Sequence, residues 1–157
     1  MVNIEIINQT NSVIIDKIDF DKISLLISHE VNKINNNIGE IEIALTISNS
    51  EFIKKLNYQY RGKDNATNVL SILSCDINKI KNNQEFLHLG DIVICDEIIK
   101  KESQEQTKNL QDHFTHMLIH GILHLLGYEH EDKDDRQVME NIEINLLSML
   151  DVNNPYN

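Results

Sequence analysis

Residues 40–47 run Glu40-Ile41-Glu42-Ile43-Ala44-Leu45-Thr46-Ile47, with isoleucine or leucine at every odd position. A period of two sends alternate side chains to opposite faces, so this octet predicts a strand with one face on a core. Upstream, Val2-Asn3-Ile4-Glu5-Ile6 alternates in the same way. Between the two, Phe20, Ile23, Ile27, Val31 and Ile34 recur at helical spacing and predict a helix. Downstream, Ser48 or Ser50 can cap a short helix through Phe52, Ile53 and Leu56. Val69–Cys75 and Ile92–Cys95 are two further β-rich runs. From Asp96 onward the pattern is helical, in segments ending near Gln104, running from about Asn109 to Leu126, and running from about Asp135 to Leu150. The last segment carries Val138, Ile142, Leu146 and Met149 as its core-facing line. Asn35-Asn36-Asn37 and Lys79–Asn83 read as loops. Strands come early and helices late. The expected class is α+β, a small mixed sheet of about four strands packed with about five or six helices.

At 157 residues the chain is expected to form one domain, 1–157, and to bury roughly two-thirds of its surface on folding. No apolar run approaches the ~20 residues needed to span a bilayer. Glu5 comes early and no basic region precedes an apolar stretch, so a signal peptide is not expected. Cys75 and Cys95 are expected as reduced thiols in adjoining core strands, and the location is expected to be cytoplasmic. The net charge of −11 argues against a broad nucleic-acid surface, which ordinarily shows a basic face. The two arginines are Arg61 and Arg136, and cations gather only at Lys54, Lys55, Arg61 and Lys63. Acidity concentrates in Glu129–Asp135, which reads as the start of a helix stabilised by its macrodipole.

Five of the seven histidines fall between positions 113 and 130. On a helix, His113, His116, His120 and His124 lie within an arc of about 80°. A lone histidine on an apolar face is usually a packed core residue, but four on one stripe each need partners for two ring nitrogens. His120 and His124, at i and i+4, can both reach one ion at ~2.0–2.1 Å. Gly127 can take the left-handed conformation that ends a helix, allowing the chain to reverse and return His130 as a third ligand. Three neutral nitrogens and an open fourth position describe a catalytic zinc site better than a structural one. The metal site is therefore expected on a helix of the C-terminal half, with one ion per chain. His120-Gly121-Ile122-Leu123-His124-Leu125-Leu126-Gly127-Tyr128-Glu129-His130 has the ligand spacing of the metzincin proteases, H-E-x-x-H-x-x-G-x-x-H. Gly121 stands where those enzymes carry their glutamate base, and glycine has no proton acceptor.

The same stretch resembles the signature H-G-x-L-H-L-x-G-Y-D-H of the YbeY family of bacterial endoribonucleases. Arg61-Gly62-Lys63-Asp64 with Thr67, Val69, Leu70 and Ser71 resembles that family's R-G-x-D-x-x-T-D-V-L-S-F-P block, and Leu89-Gly90-Asp91-Ile92 its L-G-D-I strand. The resemblance spans about residues 40 to 145. Three departures stand out: Glu129 for the usual Asp, Asn68 for the Asp of T-D-V-L-S, and Ile72-Leu73 for Phe-Pro.

The resemblance implies a zinc-dependent endoribonuclease acting on single-stranded RNA. Its expected task is maturation of the 3′ end of 16S ribosomal RNA and ribosome quality control, with the small ribosomal subunit as partner and no membrane. It implies His120, His124 and His130 as ligands, with Arg61 as the arginine that stabilises charge developing on the phosphodiester under attack by metal-bound hydroxide. His116, one turn before His120, is expected either to act as acid or base or to support the site. Lys63 could add a phosphate contact, and Asp91 either supports the site or caps a strand end. Two other readings stay open on sequence: a metalloprotease-like zinc hydrolase, which Gly121 weighs against, and a ribosome-assembly factor with little cleavage activity.

Overall fold

The computed structural model describes residues 1–157 and contains four strands and five α-helices, with short 3-10 turns at Val13–Lys17 and Ile77–Lys79. In chain order the elements are β1 (Val2–Asn8), α1 (Phe20–Ile34), β2 (Ile38–Ser48), α2 (Ser50–Arg61), β3 (Val69–Leu73), β4 (Gln84–Cys95), α3 (Asp96–Glu105), α4 (Leu110–Leu125) and α5 (Lys133–Met149). The sheet order is β1-β2-β4-β3. β1, β2 and β4 are parallel, and β3 closes the edge antiparallel to β4. The expected mixed α+β architecture is present.

The period-two pattern explains the layering. Ile41, Ile43, Leu45 and Ile47 of β2 join Leu89, Ile92 and Ile94 of β4 in the main core, against Ile23, Ile27 and Val31 of α1 and Phe114, Leu118 and Ile122 of α4. The residues between them face the other way. Leu70, Val93 and Cys95 form a small second cluster with Ile53 of α2, against which Phe52 and Leu56 pack. So α2 and α4 lie on opposite faces of the sheet, with β3 and β4 between them. Each α-helix except α3 opens on an Asx cap: the side chains of Asp19, Asn49, Asn109 and Asp132 accept from backbone N–H groups of the first turn.

Several expectations need correction. The cap of α2 is Asn49 rather than Ser48 or Ser50, because its side chain reaches the N–H of Phe52. β4 starts at Gln84, eight residues before the β-rich run; its first half lies beside β2, while Leu89 bulges out of the ladder between His88 and Gly90. α5 starts at Lys133, and its buried line is Met139, Glu143, Leu146 and Leu147. Val138 and Met149, expected inward, are 52% and 46% exposed. Both cysteines are free as expected, but only Cys95 lies in a strand, and Cys75 is half-buried beyond the end of β3. The acidic run does cap a helix: Asp132 accepts from the Asp135 N–H at 2.8 Å, with Asp134 and Asp135 in the first turn. No helix is long and apolar enough to cross a membrane.

Candidate metal centre

α4 delivers its histidines to one end of the core because it is nearly enclosed there, with Phe114, Leu118, Ile119, Ile122 and Leu123 all buried. Gly121 lets α4 pack close against the sheet. A β-carbon at that position would lie 3.1 Å from Ser71 Oγ, 3.2 Å from Val69 Cγ2 and 3.3 Å from Ile92 Cγ2. Gly121 therefore faces β3 and β4, and any larger side chain there would press on the sheet. The helix ends in a Schellman turn, with Tyr128 N–H donating to the Leu123 carbonyl and Gly127 N–H to that of His124. Gly127 has φ +101°, a value that glycine takes without steric cost. That reversal carries His130 back beside His120 and His124.

The three rings converge. The His120 and His124 centroids are 4.6 Å apart, and His130 lies 5.3 Å and 4.9 Å from them. One nitrogen from each ring lies within 4.8 Å of the other two. The hydrogen-bond partners settle the tautomers. His124 Nδ1 lies 2.9 Å from the Tyr128 carbonyl, which can only accept, so Nδ1 carries the hydrogen. His120 Nδ1 lies 3.2 Å from Glu143 Oε1 and donates to that carboxylate. The two Nε2 lone pairs then face each other at 3.1 Å. Two acceptors at that distance repel unless something positive lies between them. Burial and the neighbouring His120 push the His124 imidazole down to about 4, so His124 itself is neutral at neutral pH. Three neutral imidazoles without a thiolate are a donor set that suits a divalent zinc-like ion, and the residues fit the expected metal.

Sequence reasoning missed the group behind these histidines. Glu143 is 1% exposed and accepts from His116 Nε2 at 2.9 Å, from His120 Nδ1, and from the Tyr156 hydroxyl at 3.0 and 3.1 Å. Burial opposes its charge, but the hydrogen bonds from His116 and His120 outweigh it and bring the carboxyl down to about 2. Burial and the Glu143 charge together push the Tyr156 phenol up. The signal for Glu143 was present: it sits four residues after Met139 and three before Leu146, an acid in an apolar line.

The remaining candidates are distributed as follows. His116 is buried behind His120, its ring edge-on to His120 at 6.3 Å, with Nε2 committed to Glu143. His113 belongs to another pair, 2.9 Å from Glu102. Glu102 also receives Asn68 Nδ2 at 3.1 Å. An aspartate at 68 would set two carboxylates face to face. Glu129 lies 3.6 Å from His124 Nδ1, beyond hydrogen-bond reach, and the Tyr128 carbonyl holds that ring instead. Asp91 lies within β4, 3.6 Å from His88. Lys63 is exposed beyond α2. Arg61 ends α2 on the other face of the sheet, exposed, and no hydrogen bond or ion pair joins it to the histidines.

Comparison with known proteins gives a consistent result. The family model described as Endoribonuclease YbeY matches residues 5–151. A protein of that name from Ruthia magnifica is 48% identical over 118 residues, 75% of this chain and 79% of the relative. Another from Francisella philomiragia is 43% identical over 121 residues, 77% of each chain. One from Acinetobacter baumannii is 45% identical over 118 residues, 74% of this chain and 75% of the relative. The solution structure of a Thermotoga maritima protein shares the fold, with a TM-score of 0.57 and 23% identity, covering 96% of this chain and 91% of that one.

Proposed function

Because the chain belongs to the YbeY endoribonuclease family, we propose that it is a single-domain, zinc-dependent endoribonuclease. It cuts single-stranded RNA in the maturation of ribosomal RNA, and it works in the cytoplasm on the small ribosomal subunit. The observation that carries this reading is the opposition of His120 and His124, whose Nε2 atoms face each other at 3.1 Å with both Nδ1 atoms already committed. His120, His124 and His130 would hold a zinc ion, which when bound would supply Lewis acidity and lower the pKa of water for attack on a phosphodiester.

The chain's own residues divide the rest of the work. Cleavage builds negative charge on the non-bridging phosphoryl oxygens, and Arg61 offers an exposed guanidinium with paired donors. Its helix and α4 pack on opposite faces of β3 and β4, and β3 is the edge of the sheet, so an RNA strand that meets both must pass over that edge. His116, with Nε2 bound to Glu143, supports the ligands from behind rather than meeting substrate. Gly121 faces Ser71, Val69 and Ile92, which supports hydrolysis without a glutamate base at that position and counts against peptide hydrolysis.

Zinc-loaded protein should be assayed in parallel on single-stranded RNA and on an unstructured polypeptide. Chelator-sensitive cutting of RNA alone is the expected result. Chelator-sensitive cutting of the polypeptide alone would replace this reading with a protease, and inertness toward both would favour an assembly factor.

A further inference from the structure

A carboxylate removed from water keeps its charge only where donors replace the lost hydration. Glu143 has three such donors, and two of them, His116 and His120, come from α4. The third comes from the C-terminal tail. There Val152 N–H is tied to the Leu147 carbonyl at 2.8 Å and Tyr156 N–H to Asn154 Oδ1 at 2.9 Å. The Tyr156 ring stands edge-on to His116, 5.6 Å away at 86°, and its hydroxyl reaches both Glu143 oxygens. His116, His120 and Glu143 could also be read as an ion site of their own, since their ligand atoms lie within 4.8 Å of one another. Hydrogen bonds already join Glu143 to both rings, however, and the phenol takes the remaining acceptor positions, so a proton network accounts for them.

We propose that Tyr156 is a positioning residue of the metal centre: it fixes the Glu143 carboxylate, which in turn holds His120 with Nδ1 protonated and Nε2 facing His124 and His130. The inference rests on the metal site described under Proposed function, though not on what that site cleaves. The tail thereby becomes part of the metal centre although it supplies no ligand.

The test measures metal binding rather than activity. Zinc affinity is determined by competition with a chromophoric chelator, and the visible spectrum of the cobalt(II) form reports ligand geometry. Tyr156→Phe removes the hydroxyl and keeps the ring. Its zinc affinity is expected to fall about tenfold, the low end for loss of an outer partner of a metal ligand, with a changed cobalt spectrum. Glu143→Gln, whose amide oxygen can accept from one ring N–H while its N–H₂ opposes the other, is expected to lose about a hundredfold. Tyr58→Phe, at an exposed tyrosine of α2, is expected to match wild type. In the metal-free state, ¹⁵N NMR of His120 is expected to show one Nδ1–H tautomer in wild type and a mixture in Tyr156→Phe. Wild-type affinity, cobalt spectrum and tautomer in Tyr156→Phe would overturn the proposal, as would an equal loss in Tyr58→Phe. A wild-type chain that binds zinc but leaves RNA intact would overturn the endoribonuclease reading alone. One that binds no zinc would overturn both.

Discussion

Ser71 Oγ donates a 2.8 Å hydrogen bond to the carbonyl of Gly121, fastening the edge strand β3 to the C-terminal half of α4, between His120 and His124. The bond is possible because no side chain stands at 121 to hold helix and strand apart. It also explains why the protease-like spacing of the histidines comes without the protease's glutamate. The helix face that would carry that acid is packed against the sheet.

Gly121→Ala is expected to change stability by no more than about 1 kcal/mol, since the gain in helix propensity offsets a tight contact. Gly121→Glu is expected to cost more than about 3 kcal/mol, because overpacking adds to a buried charge with no partner. Urea unfolding of the metal-free proteins measures both. A Glu variant as stable as wild type, or one with peptidase activity, would contradict the packing argument.

Purified wild-type protein is expected to carry close to one divalent ion per chain, and His124→Ala to lose it. Binding to the folded form alone raises stability, so chelation should lower the unfolding temperature. The far-UV circular dichroism at room temperature should persist, because the core of β2, β4, α1 and α4 does not involve the ligands. Elemental analysis and a thermal melt decide this. Equal metal content in wild type and mutant would refute the ligand assignment.

Arg61→Ala is expected to cut RNA turnover about 10²-fold at saturating substrate and fixed salt, the scale of losing one transition-state donor. Metal content should not change. Arg61→Lys should recover only part of the rate, since a point charge lacks paired donors. Intact saturated turnover with weakened affinity would make Arg61 a docking residue, and an unaffected variant would exclude it from the site.

Asn68→Asp is expected to destabilise the fold by about 2 kcal/mol at neutral pH, because a hydrogen bond to the Glu102 carboxylate becomes a like-charge contact. The sign with pH follows from that repulsion. It favours proton uptake in the folded state, so the deficit should shrink as pH falls through the carboxylate range and be greatest above it. Unfolding curves for both proteins at several pH values provide the check. A deficit that grows on acidification would point to another cause.

Much of this protein was legible in local pattern. The octet at 40–47 specified β2 because isoleucine and leucine at alternate positions bury one face of a strand whatever lies beside it. His120 and His124 could be paired on sequence because i and i+4 are adjacent on any helix, and Gly127 could be placed because few other residues take its φ. The first half of β4 was less legible: its pairing with β2 depends on a neighbour more than forty residues away, and Gln84-Glu85-Phe86 shows little β character alone. The line on α5 was misread by one position, since Val138 and Met139 are both apolar and only packing decides which turns inward.

The sequence by itself therefore indicated the order of strands and helices, the convergence of His120, His124 and His130 and the family, all carried by short-range spacing. Tertiary structure alone decided what stands behind those histidines. Glu143 reaches His120 across 23 residues and Tyr156 reaches Glu143 across 13, by the docking of α5 and the tail against α4. It also decided that Arg61 and the histidines lie on opposite faces of the sheet. No periodicity encodes such placements, because they depend on which elements share a face once the core has closed.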